Sequence, residues 1–549
     1  MVMLSKSMIA QNGPKSTQKR KNFSLANKIS TLRLHRFGLA ALASKPYNED
    51  SDPIKWKERV PMIDLTVNRE GLRRNIEAAR ANRILIPTYQ QMKHPETIPE
   101  AIQARLKGVG LWDVDPLNLF RITWKNEAKE SGGLFQAVPN YLELPPALTG
   151  VPARIVALVG KWFPTGCHKV GASFGCLVPR LVTGQFDVTY HKAVWPSTGN
   201  YCRGGAFNSK LLGCRGVAIL PAEMSRERFE WLESIGAEVI ATPGCESNVK
   251  EIFDKTNELK ADPQCMIFNQ FEEMGNHLWH YQVTGDAIAT VYEAIRRPGD
   301  RMAGACFTSG SAGTIGCGDY LKEVYPTMKL AVGEALQCPT ILNNGFGDHR
   351  IEGIGDKHIP WIHDVKNTDM VIDIDDEDSQ RLLRLFHDPA GLACLREAGV
   401  DEDTLSRLSW LGISGIANVL CCIKMAKYYE LTSKDLVFTV LTDSAAMYGS
   451  RIRELEEQYG PYSPTAAAVD FNLHLLGQRT DHMMELNYYD RKRVHNLKYY
   501  TWVEQQGRTM AELNDQWYGS VWDDVHHQAD ALDDLIQAFN EETGVAKTL

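Results

Sequence analysis

The sequence predicts an α/β fold of doubly wound parallel sheets. Three observations lead to it. From about residue 153, short apolar runs of strand length alternate with longer windows of helical periodicity, which implies parallel strands joined by right-handed crossovers. The chain of 549 residues is 44% hydrophobic and 23% charged, enough for a large core and more than one subdomain. Its apolar runs fall short of the roughly 18–20 residues that span a bilayer, so no membrane partner is expected.

Taken in order, residues 1–50 form a basic extension with Lys6, Lys15, Lys19, Arg20, Lys21, Lys28, Arg33, Arg36 and Lys45 and no acid before Glu49. That composition reads as a disordered extension in a cytoplasmic protein, or as an organellar transit peptide with an amphipathic stretch over 25–42. Residues 51–140 read as a mixed N-terminal extension with a helix over 69–81. The runs 155–159, 216–220, 239–240, 302–307 and 436–441 read as strands, and the windows 226–235, 285–295 and 316–324 as helices between them. Ligands in such sheets bind beyond the carboxyl ends of strands, so functional loops should follow strands. Residues 451–549 read as a helical extension, an appendage or oligomer contact. It closes on a helix over 528–540 whose apolar face is Ala529, Leu532, Leu535, Ile536 and Phe539.

Composition excludes several classes. A net charge of −8, with no basic stripe after residue 60, argues against a nucleic-acid partner. The twelve cysteines have no short regular spacing and read as reduced thiols. His277, His280, His349, His358 and His363 fit no common zinc spacing, so no metal is expected.

Three segments carry chemistry. The first is Pro164-Thr165-Gly166-Cys167-His168-Lys169-Val170-Gly171-Ala172-Ser173, a polar turn that opens a helix near Lys169. A lysine at a helix start feels the positive end of the dipole, which lowers its amine pKa and favours attack on a carbonyl. Ser197-Thr198-Gly199-Asn200-Tyr201 is the second, small hydroxyls and glycine before a helix whose free N–H groups can hold a carboxylate. The third, Gly310-Ser311-Ala312-Gly313-Thr314, follows an apolar strand, where small residues let successive N–H groups surround a phosphate. It fits neither a nucleotide-triphosphate loop nor the dinucleotide fingerprint, which leaves a phosphate monoester.

In order and spacing these segments resemble the cysteine synthase and cystathionine β-synthase family, the fold-type II pyridoxal phosphate enzymes. The resemblance runs from about Tyr141 to Ser450. It also takes in LLGCRGVAILPAEMSRERFEWLESIGAEVIATP from Leu211, Asn269-Gln270-Phe271, His349-Arg350-Ile351-Glu352-Gly353-Ile354-Gly355 and Gly412-Ile413-Ser414-Gly415. It implies two subdomains, a smaller one over about 171–243, with pyridoxal 5'-phosphate in the cleft between them and a small amino acid as substrate. Lys169 would form the Schiff base, Asn200 would meet the ring hydroxyl, and Gly310, Ser311, Ala312, Gly313 and Thr314 would hold the phosphate. Ser197, Thr198, Gly199 and Tyr201 with Gln270 would receive the substrate carboxylate. The implied reaction is β-elimination or β-replacement through an aminoacrylate, in a homodimer. An ammonia lyase or dehydratase, or a non-catalytic relative that keeps the fold, are the alternatives.

Three departures from the family stand out. Asp443 occupies the place of the neutral hydroxyl expected at the pyridine nitrogen, unless the register shifts by one and leaves Thr442 or Ser444 there. Val170 and Gly171 replace an Asp-Arg pair after the lysine. Arg203 replaces a small residue and reads as a surface arginine, or as a partner for an anionic substrate side chain.

Overall fold

The computed structural model describes residues 63–128, 133–244 and 249–548. The basic extension, including the amphipathic stretch over 25–42, lies outside the described residues. Strands form where branched and small apolar residues run together: β1 Tyr141–Leu144, β2 Arg154–Val159, β3 Lys192–Pro196, β4 Arg215–Pro221, β5 Glu238–Thr242, β6 Cys265–Ile267, β7 Arg301–Thr308, β8 Lys329–Ala335, β9 Met370–Ile374, β10 Asp435–Leu441 and β11 Met483–Glu485. Every residue of β2 and β10 is buried, as expected for strands covered by helices on both faces.

Two sheets result. The larger has the order β1-β2-β10-β7-β8-β9-β11 and the smaller β5-β4-β3-β6. All pairings in the smaller sheet are parallel, and the larger sheet is parallel except at its edges, where β1 runs against β2 and β11 against β9. The β1–β2 connection is too short for a crossover and so reverses direction. The smaller sheet continues past residue 243 to β6.

The segment after residue 450 is no appendage. It supplies the edge strand β11, with Met483 opposite Ile372, and its helix Gln528–Thr543 buries Leu532, Ile536 and Phe539 in the same core as Ile76 and Leu177. The Asp533 carboxylate accepts from the Tyr89 and Gln90 backbone N–H groups at 2.6 and 3.0 Å, capping the helix Tyr89–Lys93. No helix is long and apolar enough to cross a membrane among the described residues.

One tertiary contact makes stability depend on pH. His474 Nδ1 lies 2.6 Å from Asp378 Oδ1, and this hydrogen bond raises the imidazole pKa against the effect of burial. Because the folded value is the higher one, the stabilisation is fully present below the unfolded pKa of about 6.5 and is lost as pH rises through the folded value. Urea titrations at pH 6 and pH 8 should therefore differ less for His474→Ala than for the unaltered chain. An equal difference in both contradicts the assignment.

Candidate active site

The helix Lys169–Val182 starts at the sequence-predicted lysine, and Lys169 Nζ donates to Gln270 Oε1 at 3.0 Å. Two small adjoining cavities meet at this side chain. The first is lined by Lys169 with His168, His280, Asn418, Thr442 and the whole turn from Gly310 to Thr314. The second is lined by Lys169 with Ser197, Thr198, Asn200, Tyr201, Gln270 and Asp356. Gly310, Ser311, Gly353 and Ile354 border both. The lysine therefore stands between the phosphate-type turn and the carboxylate-type segment, although 101 residues separate it from Gln270 in the chain.

The turn Gly310–Thr314 joins β7 to the helix Ile315–Val324, at the carboxyl end of a central strand. Ala312 takes a left-handed φ of 62°, which bends the backbone around the cavity. Ser311 Oγ accepts from Asn276 Nδ2 at 3.1 Å. A Cβ on Gly313 would come within 2.2 Å of Asn276 Oδ1, so this position is closed to side chains. We expect Gly313→Ala to weaken pyridoxal phosphate binding about tenfold or more by displacing the turn; a fluorescence titration giving unchanged affinity would remove the turn from the cofactor site.

The residues suit pyridoxal phosphate. Among the described residues lining the first cavity there is no carboxylate to repel a phosphate dianion. Several buried polar atoms around the cavities lack a hydrogen-bond partner: both ring nitrogens of His168 and Asn200 Oδ1. Leaving such groups unsatisfied costs about 1–3 kcal/mol each, which a polar ligand recovers. Burial, with the Lys169 charge nearby, lowers the His168 pKa to about 3, so the ring is neutral. Asn200 Nδ2 donates to Asp443 Oδ2 at 2.7 Å, which fixes the amide and leaves Oδ1 as an acceptor.

Two predicted residues stand behind the cavities and border neither. Gly199 has φ 153°, and a Cβ there would meet Arg228 Nη1 at 2.1 Å, so its role is to let the buried arginine approach the loop. The Asp443 carboxylate faces Asn200 and the Tyr448 hydroxyl, the latter at 2.7 Å, whereas Thr442 borders the first cavity. Of the two registers that the sequence offers, the structure has Thr442 at the cavity wall and Asp443 behind it. Successive strand residues point to opposite sides, so a shift of one exchanges the two. Burial raises the Asp443 pKa, opposed by Arg228, Asn200 and Tyr448.

Arg203 is not on the surface. It is fully buried, donates to Thr165 O at 3.1 Å and lies 4.7 Å from the Trp231 ring and 5.8 Å from that of Trp112, so cation–π contact replaces water. The Val170-Gly171 departure also has a cause: a Cβ on Gly171 would overlap Trp279 at 2.1 Å. Sequence reasoning gave no role to His168, Asn418 or Asp356. His280 was weighed only as a metal ligand, yet it packs edge-on against His168 with centroids 5.1 Å apart.

Buried ions tie the two sides of the cleft together. Arg228, from the helix Arg226–Ser234, donates to Thr198 O at 2.8 Å and Tyr448 OH at 3.1 Å and pairs with Glu352 at 3.1 Å. Glu352 in turn pairs with Arg451 at 2.6 Å, and Glu227 accepts from the Ser450 N–H at 2.8 Å. These contacts hold the smaller sheet's helix Arg226–Ser234 against the helix Gly449–Tyr459.

The family model for pyridoxal-phosphate dependent enzymes matches residues 164–400. A probable cysteine synthase from Bacillus subtilis is 32% identical over 223 residues, 40% of this chain and 70% of that one. Cystathionine β-synthase from Saccharomyces cerevisiae is 27% identical over 315 residues, 56% of this chain and 59% of that one. Among solved structures, O-acetyl serine sulfhydrylase isoform 3 from Entamoeba histolytica superimposes with a TM-score of 0.50 at 21% identity, covering 62% of this chain and 94% of that one, which shows the fold. The chain belongs to the pyridoxal-phosphate dependent enzymes. Within them it is of the cysteine synthase type.

Proposed function

We propose that this chain catalyses β-replacement on a small amino acid such as serine, cysteine or a derivative, with residues 141–450 as the catalytic region. One observation supports the reading above the rest: a single lysine amine lies where a phosphate-type turn and a carboxylate-type loop meet. Gly310 to Thr314 would hold the phosphate and Asn200 Oδ1 the ring hydroxyl, while Thr442 is the hydroxyl we assign to the ring nitrogen. When bound, pyridoxal phosphate supplies an electron sink for the pair left at Cα.

The chain's own residues do the rest. Gln270 Oε1 accepts from Lys169 Nζ and so aims the amine, which takes and returns the α-proton. Ser197, Thr198 and Tyr201 bind the substrate carboxylate. Asp356, buried on the wall of the same cavity, brings a carboxylate to the substrate side and suits an ammonium or a polar side chain. The side chains that line the second cavity are almost all buried, which limits water at the reacting atoms and favours transfer to an added nucleophile over hydrolysis.

An amino-acid panel assayed in parallel for sulfide or thiol incorporation and for 2-oxo acid release tests the reading. Expected is a new β-substituted amino acid from at least one serine or cysteine derivative. Release of 2-oxo acid and ammonia alone would make the chain a lyase, and neither product from any substrate would overturn the proposal. A homodimer, checked by sedimentation, belongs to the same proposal.

A further inference from the structure

Away from the cavities, three buried side chains from distant parts of the chain converge. His277 stands on the helix Met274–Trp279, Asp319 on the helix Ile315–Val324 that begins at the phosphate-type turn, and His526 ends the helix Val521–His526. They are 0%, 1% and 6% exposed. His277 Nε2 lies 2.9 Å from His526 Nε2 and 3.6 Å from Asp319 Oδ2, and one ligand atom from each residue lies within 4.8 Å of the others.

Hydrogen-bond bookkeeping leaves a buried acceptor of this cluster, Asp319 Oδ2, without a partner. His277 Nδ1 faces the Ile362 carbonyl at 3.2 Å; a carbonyl only accepts, so the proton is on Nδ1 and Nε2 is a lone pair. His526 Nδ1 faces Glu323 Oε1 at 3.7 Å, and that carboxylate is held by the Tyr281 hydroxyl at 2.8 Å. At 3.7 Å this is no hydrogen bond, but a proton on Nδ1 is the tautomer that keeps a lone pair from pointing at the carboxylate. In that tautomer two imidazole lone pairs face one another, beside an Asp319 Oδ2 that is buried with no hydrogen-bond partner. The outer atoms are already oriented: Asp319 Oδ1 accepts from Asn367 Nδ2 at 3.0 Å, and Tyr281 stacks on the His526 ring at 3.7 Å. Ligating histidines with the second nitrogen on a carbonyl or carboxylate are the usual surroundings of a bound metal.

We infer that His277 Nε2, His526 Nε2 and Asp319 form a site for one divalent transition metal of the zinc class, fastening the C-terminal segment to the helix that follows the phosphate-type turn. Tetrahedral ligands at about 2.0–2.1 Å from zinc stand about 3.3 Å apart, so the imidazoles need part by only a few tenths of an ångström, and the Asp319 oxygen is near that separation from His277. The proposal departs from the expectation of no metal, which rested on sequence spacing, a rule blind to two histidines 249 residues apart.

The test uses the full chain loaded with pyridoxal phosphate, stripped with a chelator and titrated with Zn²⁺ against a chromophoric competitor, with Co²⁺ as a spectroscopic probe. Expected are one equivalent of zinc per chain, visible d–d bands of a low-symmetry cobalt site, and a melting temperature that rises with zinc. Asp319→Asn should weaken zinc at least about 100-fold, and Glu323→Gln, at a half-exposed position where folding is not at stake, by about 10-fold or more. Failure of the unaltered chain to hold an equivalent overturns the site. So does zinc binding that both Asp319→Asn and Glu323→Gln leave unchanged, which would put the ion elsewhere and leave His526 Nε2–H donating to His277.

Discussion

Lys169→Ala is expected to lower turnover by about 10³-fold or more, with little loss of stability. Its side chain is only partly buried, and its hydrogen bond to Gln270 lies on the cavity wall. Removing the amine removes both the bond-forming group and the proton carrier, whereas the turn from Gly310 to Thr314 and the loop from Ser197 to Tyr201 keep their own contacts. Lys169→Arg separates charge from chemistry, because guanidinium keeps the positive charge but neither attacks a carbonyl nor releases a proton near neutral pH. Both variants should be inactive and fold normally by circular dichroism. An active arginine variant would mean that the charge alone is needed.

Asp443→Ala is expected to destabilise the protein by about 1–3 kcal/mol, because it leaves the buried Asn200 amide and Tyr448 hydroxyl without their acceptor. Asp443 is fully buried, accepts from Asn200 and Tyr448, and lies near Arg228 and Arg203, both themselves fully buried. Asp443→Asn keeps the volume and one acceptor and should lose less. Urea denaturation of the three proteins orders them. The asparagine variant also distinguishes the two registers of the 442–444 run: a carboxylate behind the cavity leaves the position of the cofactor's visible absorption unchanged, and a carboxylate at the ring nitrogen does not.

The central site was readable in the sequence because its parts are local. A lysine at a helix start, small residues after an apolar strand and hydroxyls before a helix each owe their chemistry to neighbours within a few residues, and parallel-sheet topology brings the ends of strands together. What could not be read depends on distant partners. Arg203 looked like a surface residue because the rings of Trp112 and Trp231 that cover it are remote in sequence. The Thr442 and Asp443 assignment turns on which side of the chain each residue faces at the end of β10, where one residue of register reverses the answer. β6 and β11, three residues each, carry too few positions for any periodicity to register. The close packing of the tail depends on β11 finding β9, which no local pattern announces.

Borohydride reduction of the purified protein with pyridoxal phosphate, followed by proteolysis and peptide mass spectrometry, tests the central claim most directly. A phosphopyridoxyl group on Lys169, absent from Lys169→Ala, is the expected result. Modification of a different lysine, or none with the cofactor present in excess, would contradict it.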